Sequence, residues 1–465
     1  MTETLTPPLT QVLPGFTAPE RLAVLLSFAS YQPAEREELD ALVADPALNW
    51  VTLERLAAHN VIRPQAYRQL VATGNWSRVP VELAGEWADH AALIAERNHE
   101  RLETARPLFT EAARAGIPIA LLKGIYFAPT YYGDVGYKRM NDIDFLIKVA
   151  DIDRTLALVH AHEYFPLGLI KQDDTNQATF SHHAPPYFHP TLRCVLGTHW
   201  GLISPRTPYK PDYAAMWERV VPFDFLGAAH HALHPVDNLH HLCIHLPHYK
   251  AGVRELADLW NLLRAHPDFD WPLFEAEVAK AGSQAPVYHA LALVQALAPM
   301  PAIAACLARL KPAVKGFLAK ETALRTRVPS RILYARSTHM STLEKCFGEF
   351  TMAGDLPTKW RAWTTMWAGG LWAPREEIAR FHFLAPDDWT LRLRTPSMVA
   401  RTWRYGAKDF GNGFYTVIHL MLVADLCKSA VRHVRGITKP NKLEAAAFAH
   451  GLSMAQVEEL KELLE

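Results

Sequence analysis

From Ala18 to about Phe109, apolar residues recur at helical spacing, as in Leu22, Leu25 and Leu26 and again in Leu53 and Leu56. Turn signals at Gln32-Pro33 and Thr73-Gly74 divide this stretch, which predicts an all-helical lobe. A long helical pattern over 81–115 stops at Gly116 and Pro118, and there the period changes. Ile117–Leu122 is a short apolar run suited to a buried strand; a brief helix over 125–132, a strand over 142–148 and a helix over 152–163 follow. Residues 177–181 and 192–199 are further strand candidates. Beyond Pro211 the pattern turns helical again, at 236–248, 252–264, 271–281, 284–297 and 301–320, broken by Pro or Gly. The expected fold class is α+β, a small mixed β-sheet embedded in large N- and C-terminal helical regions. The expected divisions are an N-terminal helical lobe over 1–95, a sheet-bearing core over 96–205, a C-terminal helical lobe over 206–400 and a helical extension over 401–465.

A chain of 465 residues exceeds what one core usually supports, so two or three packed lobes are expected. Lys plus Arg balance Asp plus Glu at 48 each, so the charge gives no strong nucleic-acid signal. The five cysteines are scattered, odd in number and without a C-x-x-C pair, which argues against a disulfide framework or a cysteine zinc site and fits a reducing cytoplasm. Met1–Pro19 is polar and Pro/Thr-rich, a loose arm rather than a signal peptide. The apolar stretch Phe414–Leu426 contains His419 and Asp425 and falls short of the ~20 residues a spanning helix needs, so no transmembrane segment is expected. A buried helix is the expectation there, with a surface-lying amphipathic helix as the alternative because Lys428, Arg432 and Arg435 follow.

Candidate chemistry centres on Asp142-Ile143-Asp144. On a strand, Asp142 and Asp144 project together while Ile143, Phe145 and Ile147 face the other way. Paired carboxylates suit magnesium, which takes hard oxygen ligands and shares its remaining positions with phosphate oxygens and water. Upstream, Gly124 follows a strand and opens a short helix, where backbone N–H groups point outward and phosphate can approach closely. Lys123 adds a point charge, and Lys138, Arg139 and Asn141 lead into Asp142. A lone Asp-x-Asp is more often a solvated strand end. Asp151-Ile152-Asp153 repeats the tripeptide and Asp268-Phe269-Asp270 has the same Asp-x-Asp pattern, but both precede helical patterns and read as helix-starting acids.

His241, His245 and His248 recur at i, i+4 and i+7, one face of a helix. Pro247 and the lack of an acidic partner favour a core or cleft-lining role over zinc. His230, His231 and His234 read as loop residues. Trp360, Trp363 and Trp367 share a helical face and read as core more readily than as a base-stacking platform.

Taken together, Lys123-Gly124, Tyr131-Tyr132 and Arg139-x-x-Asp142-Ile143-Asp144-Phe145-Leu146-Ile147 resemble the uncharacterised nucleotidyltransferase family of the DNA polymerase β superfamily. Thr198-His199-Trp200, His240–His245, Glu255–Leu259 and Ala57–Pro64 agree with that resemblance, which spans roughly residues 50–265. It implies a nucleotidyltransferase core in which Lys123, Gly124, Lys138 and Arg139 hold the phosphates of an NTP and Asp142 and Asp144 bind Mg2+. The implied activity transfers a nucleoside monophosphate to a hydroxyl or phosphate on a small-molecule or peptide acceptor. The chain departs from the family at one point: Gly197 stands where a third carboxylate is expected, and no Asp or Glu lies between Asp174 and Asp212. Three readings stay open. His199, or His183 beside it, serves as general base; the chain is a catalytically silent nucleotide-binding or partner-binding module; or an acid from the C-terminal helical lobe reaches the site. His241 and His245 are expected to line the cleft.

Overall fold

A computed structural model describes residues 13, 15–166, 181–191, 193–205, 207–246, 252–334, 346–347, 349–350, 353–371, 375–382, 384–385, 387–407, 411–439, 441–449 and 451–456. The N-terminal region is helical as expected: α1 (Ala18–Leu25), α2 (Pro33–Ala44), α3 (Trp50–His59), α4 (Arg63–Ala72) and the 34-residue α5 (Val81–Arg114). Local capping fixes where the first two begin. The Thr17 amide donates to Glu20 Oε2 at 2.7 Å and the Gln32 amide to Glu35 Oε2 at 2.8 Å, each satisfying a donor that the helix leaves unpaired. The expected loose arm therefore ends before Pro19, which is buried in the first turn of α1. Trp87, Leu102, Ala105, Leu108, Phe109 and Ala112 form the buried stripe of α5.

The sheet has seven strands in the order β3-β4-β5-β2-β1-β7-β6. In chain order these are β1 (Ile119–Leu121), β2 (Ile143–Ile147), β3 (Phe165–Pro166), β4 (Tyr187–Phe188), β5 (Val195–His199), β6 (Val221–Phe225) and β7 (Ala228–Ala232). Helix α6 (Lys123–Tyr131) joins β1 to β2, α7 (Ile152–Ala161) follows β2, and α8 (Tyr213–Arg219) precedes β6. Strand β2 lies centrally, antiparallel to β1 and parallel to β5. Its alternation is as expected: Ile143, Phe145 and Ile147 enter the main core, where the Phe145 and Phe109 rings meet edge to face at 5.3 Å, while Leu146 packs with Ala120, Leu122 and Leu233 on the other side.

Two sequence expectations fail at the hairpin β6–β7. The chain beyond Pro211 is not uniformly helical, and His230 and His231 sit in β7 rather than in a loop, while His234 caps the next helix. Leu226 (φ 58°) and Gly227 (φ 80°) form the two-residue connection, and positive φ at both positions gives the twist that a tight antiparallel hairpin needs. Pro222 is tolerated because β6 is the sheet edge. The expected strand at 177–181 falls almost wholly outside the described residues.

The C-terminal helices are α9 (Pro235–His245), α10 (Val253–Ala265), α11 (Trp271–Ala281), α12 (Gln284–Leu297), α13 (Pro301–Leu310) and α14 (Gly316–Thr326). The single helix expected over 301–320 is two, divided near Pro312 and Gly316. Asp270 caps α11 by accepting from the Leu273 amide at 2.9 Å, as expected of that acid. Further on lie α15 (Leu356–Leu371), α16 (Arg375–His382), α17 (Thr395–Ala407), α18 (Gly411–Val434) and α19 (Lys442–Ala449). Trp360 is half exposed instead of buried, and α18 is not the buried helix anticipated, since Leu420 and Met421 are exposed. No helix among the described residues is long and apolar enough to cross a membrane.

Buried amides join the N-terminal helices to the C-terminal ones. Asn60 donates to Leu56 O at 3.0 Å and Leu333 O at 2.9 Å and accepts from the Val253 amide at 2.9 Å, fixing the start of α10. Asn261 accepts from the Ala29 amide and donates to Ser27 O, both at 2.9 Å. Replacing Asn60 by Ala strands buried backbone groups on two segments, so a loss of about 2–4 kcal/mol in urea unfolding is expected; a loss under about 0.5 kcal/mol would show that the amide does not bear this connection.

Candidate active site

Four segments converge on one end of the sheet. The β2–β5 register pairs Asp144 with Gly197 and Leu146 with His199, so Asp144, Gly197 and His199 share a face. Lys123 arrives from the other side, at the start of α6, with φ of 49°. That left-handed conformation is costly for a side chain with a Cβ, and the tertiary contacts of Lys123 hold it there. Lys123 Nζ lies 2.7 Å from Asp144 Oδ2, and His199 Nε2 donates to Asp144 Oδ1 at 2.9 Å. Both oxygens of a carboxylate only 6% exposed are thereby engaged.

The electrostatics follow from this geometry. Burial alone would raise the Asp144 pKa, but Lys123 and then His199 outweigh it and hold the carboxyl well below its usual range. Burial likewise opposes the Lys123 charge, yet Asp144 and Asp142 push its pKa up. Asp142 opens towards the cleft. Protein crowds its remaining sides, and that desolvation, followed by the Asp144 charge, pushes it up to about 7. A second cation beside Asp142 would relieve that repulsion. Two hard-oxygen donors facing one cavity, one of them already held to a cation, fit magnesium.

The cavity of about 270 Å³ is lined by Lys123, Gly124, Lys138, Arg139, Asn141, Asp142, Asp144 and His245, with Arg254, Glu255 and Asp258 from α10 opposite. The anticipated phosphate-binding residues and both aspartates therefore meet in one place. Lys138 is ion-paired with Asp258, which also accepts from the Tyr132 hydroxyl at 3.1 Å. The loop carrying Lys138 and Arg139 is anchored by Asn98, whose amide donates to Val135 O at 2.7 Å and Lys138 O at 2.8 Å. Acids from the C-terminal lobe thus do reach the cleft, as one reading allowed. Glu255, though, accepts from the Gly252 amide at 3.1 Å and pairs with Arg254.

His199 and His183 do not line this cavity. His199 backs Asp144, and its Nδ1 is buried without a partner among the described residues. His183 packs against it, ring centroids 5.2 Å apart, and its Nδ1 lies 2.7 Å from Ala184 O. His182, 5.8 Å from His199, belongs to the same group, with burial pushing its pKa down to about 3. From α9, His245 lines the cavity and His241 lies beside it at 5.5 Å. Burial and then the Lys123 charge keep His241 well below its usual pKa; for His245 the Lys123 charge is the larger cause. His248 lies outside the described residues. Among the described residues, no group of three or more His, Cys, Asp or Glu is disposed to hold a metal ion.

Sequence reasoning gave no role to Arg254, Asp258, His182 or Arg101, whose buried guanidinium contributes to the field at Asp142. The spacing of Arg254, Glu255 and Asp258 on one helix was visible, but not that this helix covers the sheet end. Gly197 has a concrete explanation: a Cβ there would come within 2.1 Å of Asp144 Oδ1 and 3.3 Å of His199 Nε2. The Asp144 carboxylate, held there by His199, takes the space that a side chain at 197 would need.

A family description, uncharacterised nucleotidyltransferase, matches residues 46–299. No curated protein and no solved structure matches the chain.

Two outcomes follow from this arrangement. Gly197→Asp should not restore a third acid; the clash and the added charge beside Asp144 are expected to cost about 1–3 kcal/mol, read as a lowered thermal midpoint, and an unchanged midpoint would contradict the packing described. Because the Asp144 pKa is depressed by folding, its stabilisation is complete above the unfolded carboxylate range and is lost as pH falls towards the folded value. Lys123→Met removes the larger cause of that depression, so acid unfolding should begin at higher pH than in the parent. An unshifted acid transition would show that the ion pair does not set it.

Proposed function

The chain belongs to the uncharacterised nucleotidyltransferase family, and on that premise we propose that it is a magnesium-dependent enzyme. It transfers a nucleoside monophosphate from an NTP to a hydroxyl or phosphate on a small-molecule or peptide acceptor. The observation that carries this reading is the meeting of Asp142 and Asp144 with Lys123, Lys138, Arg139 and Arg254 around a single cavity. Four cations there match a polyphosphate, and two carboxylates match the ion that accompanies it.

Asp142 and Asp144 would hold Mg2+, which when bound supplies Lewis-acid stabilisation of the charge on the transferring phosphate. Asp144 is pre-aimed for this role. His199 fixes one oxygen from behind, and Lys123 neutralises the other until ligand arrives. Once a triphosphate enters, Lys123 is free to turn from Asp144 to a phosphate oxygen, which lies within reach of the open N-terminus of α6 beside Gly124. Lys138, freed from Asp258, and Arg139 neutralise the pyrophosphate as it leaves. His199 is assigned as a positioning residue for Asp144, since it lies outside the cavity where an acceptor would sit; with His183 also withdrawn and Asp144 held as a strong acid, acceptor deprotonation falls to Asp142, which faces the cleft.

The competing reading, nucleotide binding without transfer, draws on Gly197. The two are separated by incubating the protein with magnesium and each labelled triphosphate over candidate acceptors and following pyrophosphate release. Asp142→Asn should reduce release by about a hundredfold or more. Tight triphosphate binding with no release over any acceptor would favour the silent module.

A further inference from the structure

Helix α18 has two apolar sides, and among the described residues only one is packed. Leu422 and Leu426 pack with Cys346, Phe350, Ala362 and Met366 in a small separate core, and Tyr415 and Ser429 are buried on the same side. The opposite side carries Val417, Leu420, Met421, Val431 and Val434, exposed at 46%, 64%, 66%, 52% and 87%. Val417, Leu420, Ala424, Cys427, Val431 and Val434 follow one another at three or four residues with Met421 beside them, which makes one stripe along the helix. A stripe of this length on a helix surface marks an interaction site.

The charge beside it identifies the occupant. Lys428, seven residues after Met421, and Arg435, four after Val431, stand on the same exposed side towards its C-terminal end, and Arg432, Lys439 and Lys442 continue the basic run. Asp425 is the one acid between Gly411 and Lys442, and it is ion-paired with the buried Lys359. An apolar stripe that runs into a cluster of cations, on a helix that is not apolar all round, has the form that lies in the plane of a membrane interface. Lysine and arginine stems extend along the apolar surface while their charges reach anionic headgroups.

We propose that α18 docks the protein on an anionic lipid bilayer, lying on the surface without crossing it. The docking face is independent of the catalytic reading and stands or falls separately.

Flotation of the full-length protein with phosphatidylcholine vesicles, with and without phosphatidylserine, tests it. Binding should require phosphatidylserine and weaken as salt rises. The double variant Leu420→Glu/Met421→Glu should lose about tenfold or more in binding. Lys428→Gln and Arg435→Gln, both at exposed positions, should each lose about fivefold, which keeps the test open if the double variant folds poorly. Equal recovery with both vesicle types, or cation variants that bind like the parent, would overturn the proposal. So would reversible self-association in sedimentation equilibrium that Leu420→Glu/Met421→Glu abolishes while vesicles capture nothing, since the stripe would then belong to a second copy of the chain.

Discussion

Asp144 is a buried carboxylate with both oxygens committed, one to Lys123 and one to His199, and the rest of the site is arranged around keeping it so. Burying that charge without partners would cost several kcal/mol. The carboxylate and its two partners come from three separate segments, so β1, β2, β5 and the start of α6 must all be in register for it to be stable. The left-handed backbone at Lys123 and the glycine at 197 are local costs of that arrangement. Each makes sense only with Asp144 in place.

The same constraint bears on the histidines packed around the site. Asp144, held by His199, fills the space that a side chain at 197 would need, and His182 and His183 pack against His199 while His241 is buried nearby. The neighbouring Lys123 charge and burial both disfavour protonation of this group, so it adds shape and hydrogen bonding next to the acid without competing cations. Asp142, lacking such support, stays open to the cleft and keeps its repulsion with Asp144. The pair is thus asymmetric: one carboxylate fixed, the other available.

Much of this was legible along the chain because it rests on strong local signals. The period change at Ile117, the alternation through Ile143–Ile147 and the Pro- or Gly-bounded helices between Pro235 and Leu297 each follow from one dominant pattern. The hairpin β6–β7 was missed because its second strand, Ala228-Ala229-His230-His231-Ala232, has little β-branched or aromatic character; its turn at Leu226-Gly227 was the available signal. In the site, Asp142, Asp144, Lys123, Gly124, Lys138 and Arg139 lie within 22 positions and could be read together. Arg254 and Asp258 lie more than a hundred residues on, and only the packing of α10 over the sheet end brings them in. The exposed side of α18 was hidden for a different reason: an apolar run states how much can be buried, not which neighbours arrive to bury it.

The central claim is that Lys123 holds Asp144 ready for a magnesium-bound triphosphate. A crystal structure with a non-hydrolysable triphosphate and magnesium tests it most directly. The account predicts a metal ion shared by Asp142 and Asp144, with Lys123 turned from Asp144 Oδ2 to a phosphate oxygen and His199 still on Oδ1. A triphosphate bound elsewhere, or in this cavity with the Lys123–Asp144 pair intact and no metal between the aspartates, would contradict it.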